Sequence, residues 1–548
     1  MTNVELYDTT LRDGAQQEGI SLSVEDKLAI TQRLDELGVH VIEGGYAGAN
    51  PKEDEYFRRA ASLKLKQAQL AAFGNTRRAG VRPEDDPTLK ALLAAGTPIV
   101  TLVGKASDRQ VREVLGVSVE ENLAMVHDSV AHMRRHGRRV FFDAEHFFDG
   151  YAANASYALR VLRVAADAGA ERLVLCDTNG GTLPDVVGRV TTEVAAEFGA
   201  AATGAGLLGV HTHNDTDTAV ASALAAVQAG ATHVQATVNG YGERTGNANL
   251  VSIIANLKLK LGIECVTDEQ LAKLTEVSRF VAEIVNRSQS PFQPYVGKSA
   301  FAHKGGLHAA ATERSAQSYQ HIAPEKVGNA NAVVVSELAG RGSVARRVSE
   351  MGMGGELTDA DIRRILQHVK DHEARGFAYE DADASFELVA RRSLPNYEPP
   401  FELVDFMVIV ENRLAHRPTG AVLVSGVADP EVNRLPAPLL SEATIKVRVG
   451  GEVLHTAAEG NGPVSALDNA LRKALTQFYP HLKQIRLTDY KVRVVNEGAG
   501  TAAAVRVLIE SADDRSVWRT VGASPNILEA SWLALADSLE WWLGHNVR

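Results

Sequence analysis

The sequence predicts an α/β protein: a (β/α)8 TIM barrel over residues 1–265, a helical linker subdomain over 266–400, and a C-terminal α+β domain over 401–548 with an internal pseudo-twofold repeat. Three observations carry this. Short apolar strands alternate with amphipathic helices, eight strands over about 260 residues, close to the usual size of a closed (β/α)8 barrel. Polar residues cluster just past the C-terminal ends of those strands, the face on which such barrels place their chemistry. Near the C-terminus, Gly460–Leu467 and Gly522–Glu529 share a Gly-x-x-Pro turn between a strand and a helix.

The strand candidates are Val4–Tyr7, Val41–Gly44, Gln69–Phe73, Ile99–Val103, Arg139–Phe142, Arg172–Cys176, Leu207–Val210 and His233–Val238. Helical periodicity marks Val24–Leu37, Asn122–Arg135, Ser156–Ala168, Pro184–Phe198 and Thr218–Ala229 between them. A doubly wound open sheet is the alternative. It is disfavoured because Arg12-Asp13-Gly14 follows the first strand, where a dinucleotide-binding sheet carries a Gly-rich fingerprint. Beyond the barrel, Gln270–Val285 and Asp359–Arg375 read as amphipathic helices. Between them lies Val296–His308, with His303 and His308 around Gly305-Gly306, followed by Tyr319. Its glycines suit close approach to a ligand, so this segment is expected to overhang the barrel mouth. Pro395, Pro399 and Pro400 mark the connection into the last domain, where strands Ile445–Val449 with Glu452–Thr456, and Val517–Val521, precede helices Ala466–Phe478 and Leu528–Leu543. The turns carrying Gly460, Pro463, Gly522 and Pro525 stand at helix N-termini, where backbone N–H groups can hold a carboxylate. The plainer reading is that they are turns only, in a domain that makes dimer contacts.

At 548 residues the chain exceeds what one hydrophobic core supports, and a prior of about 150 residues per domain gives three or four units. A net charge of −11 leaves no basic footprint for nucleic acid. Two cysteines, Cys176 and Cys265, permit neither a disulfide framework nor a thiolate zinc cage. The start lacks a basic, then apolar, leader, and no run approaches the roughly 18 apolar residues of a membrane span. A cytoplasmic protein without membrane or nucleic-acid partners is expected.

The strongest chemical signal is His211-Thr212-His213, at the end of the seventh strand. Side chains at i and i+2 on a strand share a face, so the two imidazoles point the same way. In a closed barrel strands seven, eight and one are neighbours, so Asp13, His211, His213 and Asn247 can converge on one ion. That set of two nitrogens, a carboxylate and an amide oxygen leaves positions open for substrate oxygens and suits Mg, Mn, Zn or Co. Each residue has a plainer alternative: Asp13 could cap the following turn, and Asn247 could cap a helix starting at Ala248.

Asp8-Thr9-Thr10-Leu11-Arg12-Asp13-Gly14, His211-Thr212-His213-Asn214-Asp215 and Gly242-Glu243-Arg244-Thr245-Gly246-Asn247 resemble the three signatures of the 2-isopropylmalate, homocitrate and citramalate synthase family, the DRE-TIM metallolyases. Gly460–Leu475 and Thr520–Leu539 are similar to that family's regulatory and dimerisation domain, so the resemblance spans the chain. Ile42–Lys52, Asp143–Tyr151 and His303–His308 are closest to the citramalate synthase branch, with Tyr46 where that branch more often has Trp and Gln320 where Glu is more usual.

The resemblance implies a Claisen-type condensation of acetyl-CoA with a 2-oxo acid, pyruvate in this branch, then thioester hydrolysis; 2-oxoisovalerate, the 2-isopropylmalate synthase acceptor, is the alternative. It also implies a homodimer and feedback by isoleucine, with leucine as effector under the alternative. A divalent ion held by Asp13, His211, His213 and Asn247 would polarise the ketone. Arg12 would stabilise the developing alkoxide, and Thr178 would hydrogen-bond the substrate carboxylate. Glu145, His308 and Tyr319 are the candidates for the base that deprotonates the acetyl methyl. Glu145 could instead hold Arg12, and His308 could serve only to bind the thioester. Two readings from other classes remain: a lyase or biotin-dependent carboxyltransferase on the same barrel, for which Lys105 is the nearest candidate for carbamylation, and an amino-acid sensor, which leaves the metal set unexplained.

Overall fold

All eight apolar runs become strands, and the sheet closes on itself. The computed structural model describes residues 4–198, 208–303, 311, 315, 318–333, 341–353, 355, 357–380, 382–411, 440–495 and 503–546. The strands are β1 (Glu5–Asp8), β2 (Val41–Tyr46), β3 (Gln69–Asn75), β4 (Ile99–Lys105), β5 (Arg139–Glu145), β6 (Arg172–Asp177), β7 (Leu208–Thr212) and β8 (His233–Ala236). They form a closed barrel in sequence order, each pairing parallel, with Glu5 of β1 opposite His233 of β8.

Helices Val24–Leu37, Pro51–Ala60, Pro87–Ala94, Val119–Arg135, Phe147–Asp167, Pro184–Phe198, Ala219–Gln228 and Leu250–Leu259 follow the strands in turn. Their ends follow local chemistry. Ser23 and Asp26 exchange side-chain and backbone hydrogen bonds at the first helix, and Gly38 closes that helix at a φ of 94°, which glycine adopts without strain. Several strands run one to three residues past their apolar runs, which brings Tyr46, Lys105, Glu145 and Asp177 into the ladder. The expected helix Ser156–Ala168 starts earlier, at Phe147, and breaks at Asn154 (φ −154°, ψ 79°). The expected Gln270–Val285 is two helices, Asp268–Leu271 and Leu274–Ile284.

Inside the barrel, Tyr7, Val41, Ala71, Ile99 and Phe141 form an apolar layer edged by the His233 ring. Two residues further along the same strand faces stand Glu43, Thr101, Asp143 and Gln235, all buried. The barrel is thus apolar low down and polar towards its C-terminal mouth. A larger apolar core lies between strands and helices.

The chain groups into two compact units, 1–301 with 320–332, and 302–319 with 333–548. In the second, β9 (Glu402–Glu411), β10 (Leu440–Val449) and β11 (Glu452–Gly460) form an antiparallel sheet followed by helix Pro463–Leu475. The pattern repeats in β12 (Arg486–Val494), β13 (Val505–Ala512) and β14 (Val517–Ser524), followed by helix Ile527–Asn546. Even the irregularity repeats: the register shifts between Leu403 and Asp405 in one half and between Leu487 and Asp489 in the other. Helices Arg341–Glu350, Asp359–Ala374 and Asp383–Arg392 pack within this unit. Ile365, Phe386 and Val389 share a core with Val521, and Arg392 pairs with Asp537 and Glu540.

The Gly-x-x-Pro turns have a packing cause. A Cβ on Gly460 would stand 2.4 Å from the Ala466 nitrogen, and one on Gly522 would stand 2.0 Å from the Ala530 carbonyl oxygen. Each strand end is pressed against its helix too closely for a side chain. Pro463 opens its helix at the first turn, where its missing N–H costs nothing, and Pro525 stands just before the second.

Candidate active site and metal centre

Asp13, His211 and His213 are buried, and their ligand atoms lie within 4.8 Å of one another. His211 Nε2 stands 3.2 Å from Asp13 Oδ2 and 3.2 Å from His213 Nε2. The strand geometry explains this convergence. β7 ends at Thr212, His213 continues in extended backbone bridged to Asn247, and β1 lies one strand beyond β8. Neither plainer alternative holds for the capping residues. Asp13 makes no side-chain hydrogen bond to the turn after it, and the helix beginning at Leu250 is capped by Asn249. The amide oxygen and nitrogen of Asn247 are both buried without a protein partner, as is Nδ1 of His213.

Electrostatics match the geometry. Burial would raise the Asp13 carboxyl, but Arg12 and the two imidazoles hold it well below the usual carboxylate range. Burial also disfavours charge on both histidines. Asp13 overrides this at His211, which is raised, whereas His213, beside the His211 charge, falls to about 3. The donor set therefore fits a divalent ion: an ionised carboxylate, one unprotonated imidazole, and a second whose proton faces Asp13, where a cation would displace it.

Arg12 is held from three sides. Its Nε donates to Glu43 Oε2 at 2.6 Å, its Nη1 lies 3.5 Å from Asp13, and its guanidinium stacks on Phe73 at 3.9 Å. Glu43 in turn accepts hydrogen bonds from Tyr7 and Thr9. The anchor of Arg12 is thus Glu43 and not Glu145. Glu145 is ion-paired with Lys105, its register neighbour on β4. Glu43 could be suspected from sequence alone, since it is a charge two residues beyond Val41 on an inward strand face.

Thr178, just past β6, accepts a hydrogen bond from the His146 N–H at 2.8 Å, which leaves its own hydroxyl proton for a ligand. His146 adopts a φ of 57° and Arg244 one of 56°, conformations that non-glycine residues hold at a cost of roughly 1–3 kcal/mol each. Arg244 ties its own loop to those after β6 and β7, donating to the Thr178 carbonyl and to both oxygens of Asp215. Arg12, Asp13, Lys105, Asp143, Glu145, Thr178, His211 and His213 all line one cavity of about 750 Å3.

Tyr319 belongs to the second unit, 46% exposed, with its ring edge against His303. His308 lies outside the described residues. Among the described residues no helix is long and apolar enough to cross a membrane.

Comparison with known proteins agrees with this architecture. Residues 3–281 match the HMGL-like family, 295–376 the homocitrate synthase post-HMGL domain-like family, and 356–543 the LeuA allosteric (dimerisation) domain. The chain is 50% identical to the (R)-citramalate synthase of Geobacter sulfurreducens, over 99% of this chain and 98% of that one. It is 49% identical to the (R)-citramalate synthase of Synechocystis, over 99% and 96%. Against a probable 2-isopropylmalate synthase of Methanopyrus kandleri identity falls to 32%, over 96% of each. With an HMGL-like barrel, a LeuA-type C-terminal domain and half of its residues shared end to end, the chain belongs to the (R)-citramalate synthase family.

Proposed function

We propose that this protein condenses acetyl-CoA with pyruvate and hydrolyses the thioester, releasing (R)-citramalate and CoA, a route to 2-oxobutanoate and isoleucine. The observation that carries the acceptor assignment is full-length identity of 42–50% to several citramalate synthases against 32% to a probable 2-isopropylmalate synthase.

Asp13, His211 and His213, with the uncommitted amide of Asn247, would hold a divalent ion; Mg, Mn, Zn and Co all suit the donor set. When bound, such an ion supplies Lewis acidity toward the ketone of the oxo acid. The protein's own groups do the rest. The Arg12 guanidinium, immobilised by Glu43 and Phe73, is aimed into the cavity where charge develops on the ketone oxygen. The Thr178 hydroxyl donates to the substrate carboxylate. Glu145, His308 and Tyr319 remain the candidates for taking the acetyl proton; for Glu145 this requires its pair with Lys105 to open.

We also read 1–265 as the catalytic domain, 266–400 as the linker that completes the site, and 401–548 as the part that dimerises and binds isoleucine, with the turns at Gly460, Pro463, Gly522 and Pro525 as the candidate carboxylate contacts. We read the protein as cytoplasmic.

The deciding experiment measures free CoA released with pyruvate, 2-oxobutyrate, 2-oxoisovalerate and 2-oxoglutarate, with and without added divalent metal. Pyruvate should be preferred and chelation should stop the reaction. A preference for 2-oxoisovalerate would overturn the acceptor and leave a 2-isopropylmalate synthase.

A further inference from the structure

A hydrogen-bonded chain crosses the polar mouth of the barrel. Nδ1 of His211, on β7, meets Oε1 of Gln235, on β8, at 2.9 Å, and Nε2 of Gln235 meets Oδ1 of Asp143, on β5, at 2.9 Å. All three residues are buried. The rest of this layer is already engaged: Tyr7 bonds Glu43 and Thr101, and Arg12 and Thr9 bond Glu43.

The polarity of this chain is forced from one end. An ionised Asp143 can only accept, so it must face the NH2 group of Gln235. The carbonyl oxygen of Gln235 then faces His211 and can only accept, so Nδ1 of His211 must carry a proton. A neutral imidazole has one N–H, which leaves its Nε2 as a lone pair, and Nε2 is the atom turned towards Asp13 and His213.

We infer that Gln235 is a positioning residue whose orientation, set by Asp143, fixes His211 in the tautomer that presents Nε2 to a metal ion. The inference rests on the reading of Asp13, His211 and His213 as metal ligands. Gln235 here takes the place of the carboxylate or backbone carbonyl that commonly holds a metal-bound imidazole, and it relays the influence of an acid one residue further away. The barrel interior is where side chains can be held this firmly, since each link joins a different strand of a closed sheet.

The test uses the full chain at pH 8, above the value of about 7 to which burial pushes Asp143, with zinc affinity measured by chelator competition in the absence of substrates. Gln235→Leu should raise the zinc Kd about 10–100-fold. Asp143→Asn, nearly the same shape, should also weaken binding, because an asparagine NH2 group lets Gln235 turn its own NH2 towards His211. The double exchange Asp143→Asn with Gln235→Glu restores an acceptor for His211 Nδ1–H and a donor behind it, and should return affinity to within about threefold of the parent. A second readout is the His211 Nδ1–H resonance in zinc-loaded protein labelled with 15N-histidine, assigned by its loss in His211→Asn. It should be protected in the parent and the double exchange, and lost in Gln235→Leu. Unchanged affinity and an unchanged resonance in Gln235→Leu would overturn the positioning role. A parent protein that binds no zinc or other divalent ion would instead overturn the metal reading.

Discussion

Arg12 and Asp13 are adjacent in sequence, yet they face different tasks, and substitution should separate them. Asp13→Ala removes the charged ligand from a buried pair of imidazoles and should abolish both metal retention and turnover. Arg12→Lys keeps the charge but not the fork that reaches Glu43 while stacking on Phe73, so metal content should persist while turnover falls on the order of 10²-fold. Metal analysis beside steady-state rates distinguishes the two, and wild-type turnover in either variant would refute the assignment. At the other end of the barrel, Glu5 shows what one carboxylate contributes to stability. Burial pushes it up, but the hydrogen bond from His233 and the charges of Arg172 and Arg139 hold it at about 2. A depressed carboxyl stabilises the fold above its unfolded value of 4.5, and that contribution is lost as pH falls from there towards 2. That lowering corresponds to roughly 3 kcal/mol. Glu5→Gln should therefore be less stable than the parent at pH 6 and nearly equal to it at about pH 2, as read from denaturant midpoints.

At the scale of elements, the barrel was legible because its strands are buried on both faces and read as continuous apolar runs. The strands β9, β12 and β13 were not. The first two are edge strands, and a stretch such as Arg486-Leu487-Thr488-Asp489-Tyr490-Lys491 looks polar until its partner strand is known. The convergence of Asp13, His211 and His213 was legible because two signals, i,i+2 spacing and closure of the barrel, point to one place. The Gln235 link was not, since it depends on which inward positions of the non-adjacent strands β5 and β8 share a layer; Glu43 shows in the sequence as an inward charge, but its partner Arg12 does not. The Gly-x-x-Pro repeat was visible, but its cause is contact between strand and helix. Gly522→Ala should accordingly destabilise the second unit by about 1–3 kcal/mol through overpacking against Ala530. All four tryptophans, Trp518, Trp532, Trp541 and Trp542, lie in this unit, so fluorescence-detected denaturation reports on it alone.

At the scale of the whole molecule, the repeated sheets bear on assembly. Met407 and Ile409 on β9 are exposed and alternate with Phe406 and Val408, which pack into the core beneath the first sheet. Such apolar surface is what a second copy would bury. Met407→Asp with Ile409→Asp should shift the protein towards monomer in analytical ultracentrifugation, and an unchanged sedimentation coefficient would remove this surface from the interface. Truncation after Pro400 should abolish inhibition by isoleucine. A truncated enzyme still inhibited at millimolar isoleucine, or a full-length one indifferent to it, would leave the domain with dimerisation alone.

The closure of the barrel through β1 and β8 also sets a timetable for synthesis. Glu5 pairs with His233, so β1 waits through 228 residues of translation for the strand that seals it. At about 5–20 residues per second that is on the order of 10–50 s during which the first strand of a nascent chain has one unpaired edge. A glutamate on that edge discourages pairing with a neighbouring chain, as charges on edge strands do. The same residue that later receives the His233 hydrogen bond therefore guards the unfinished sheet. Asp13, carried just past β1, is brought to His211 and His213 only as the barrel closes.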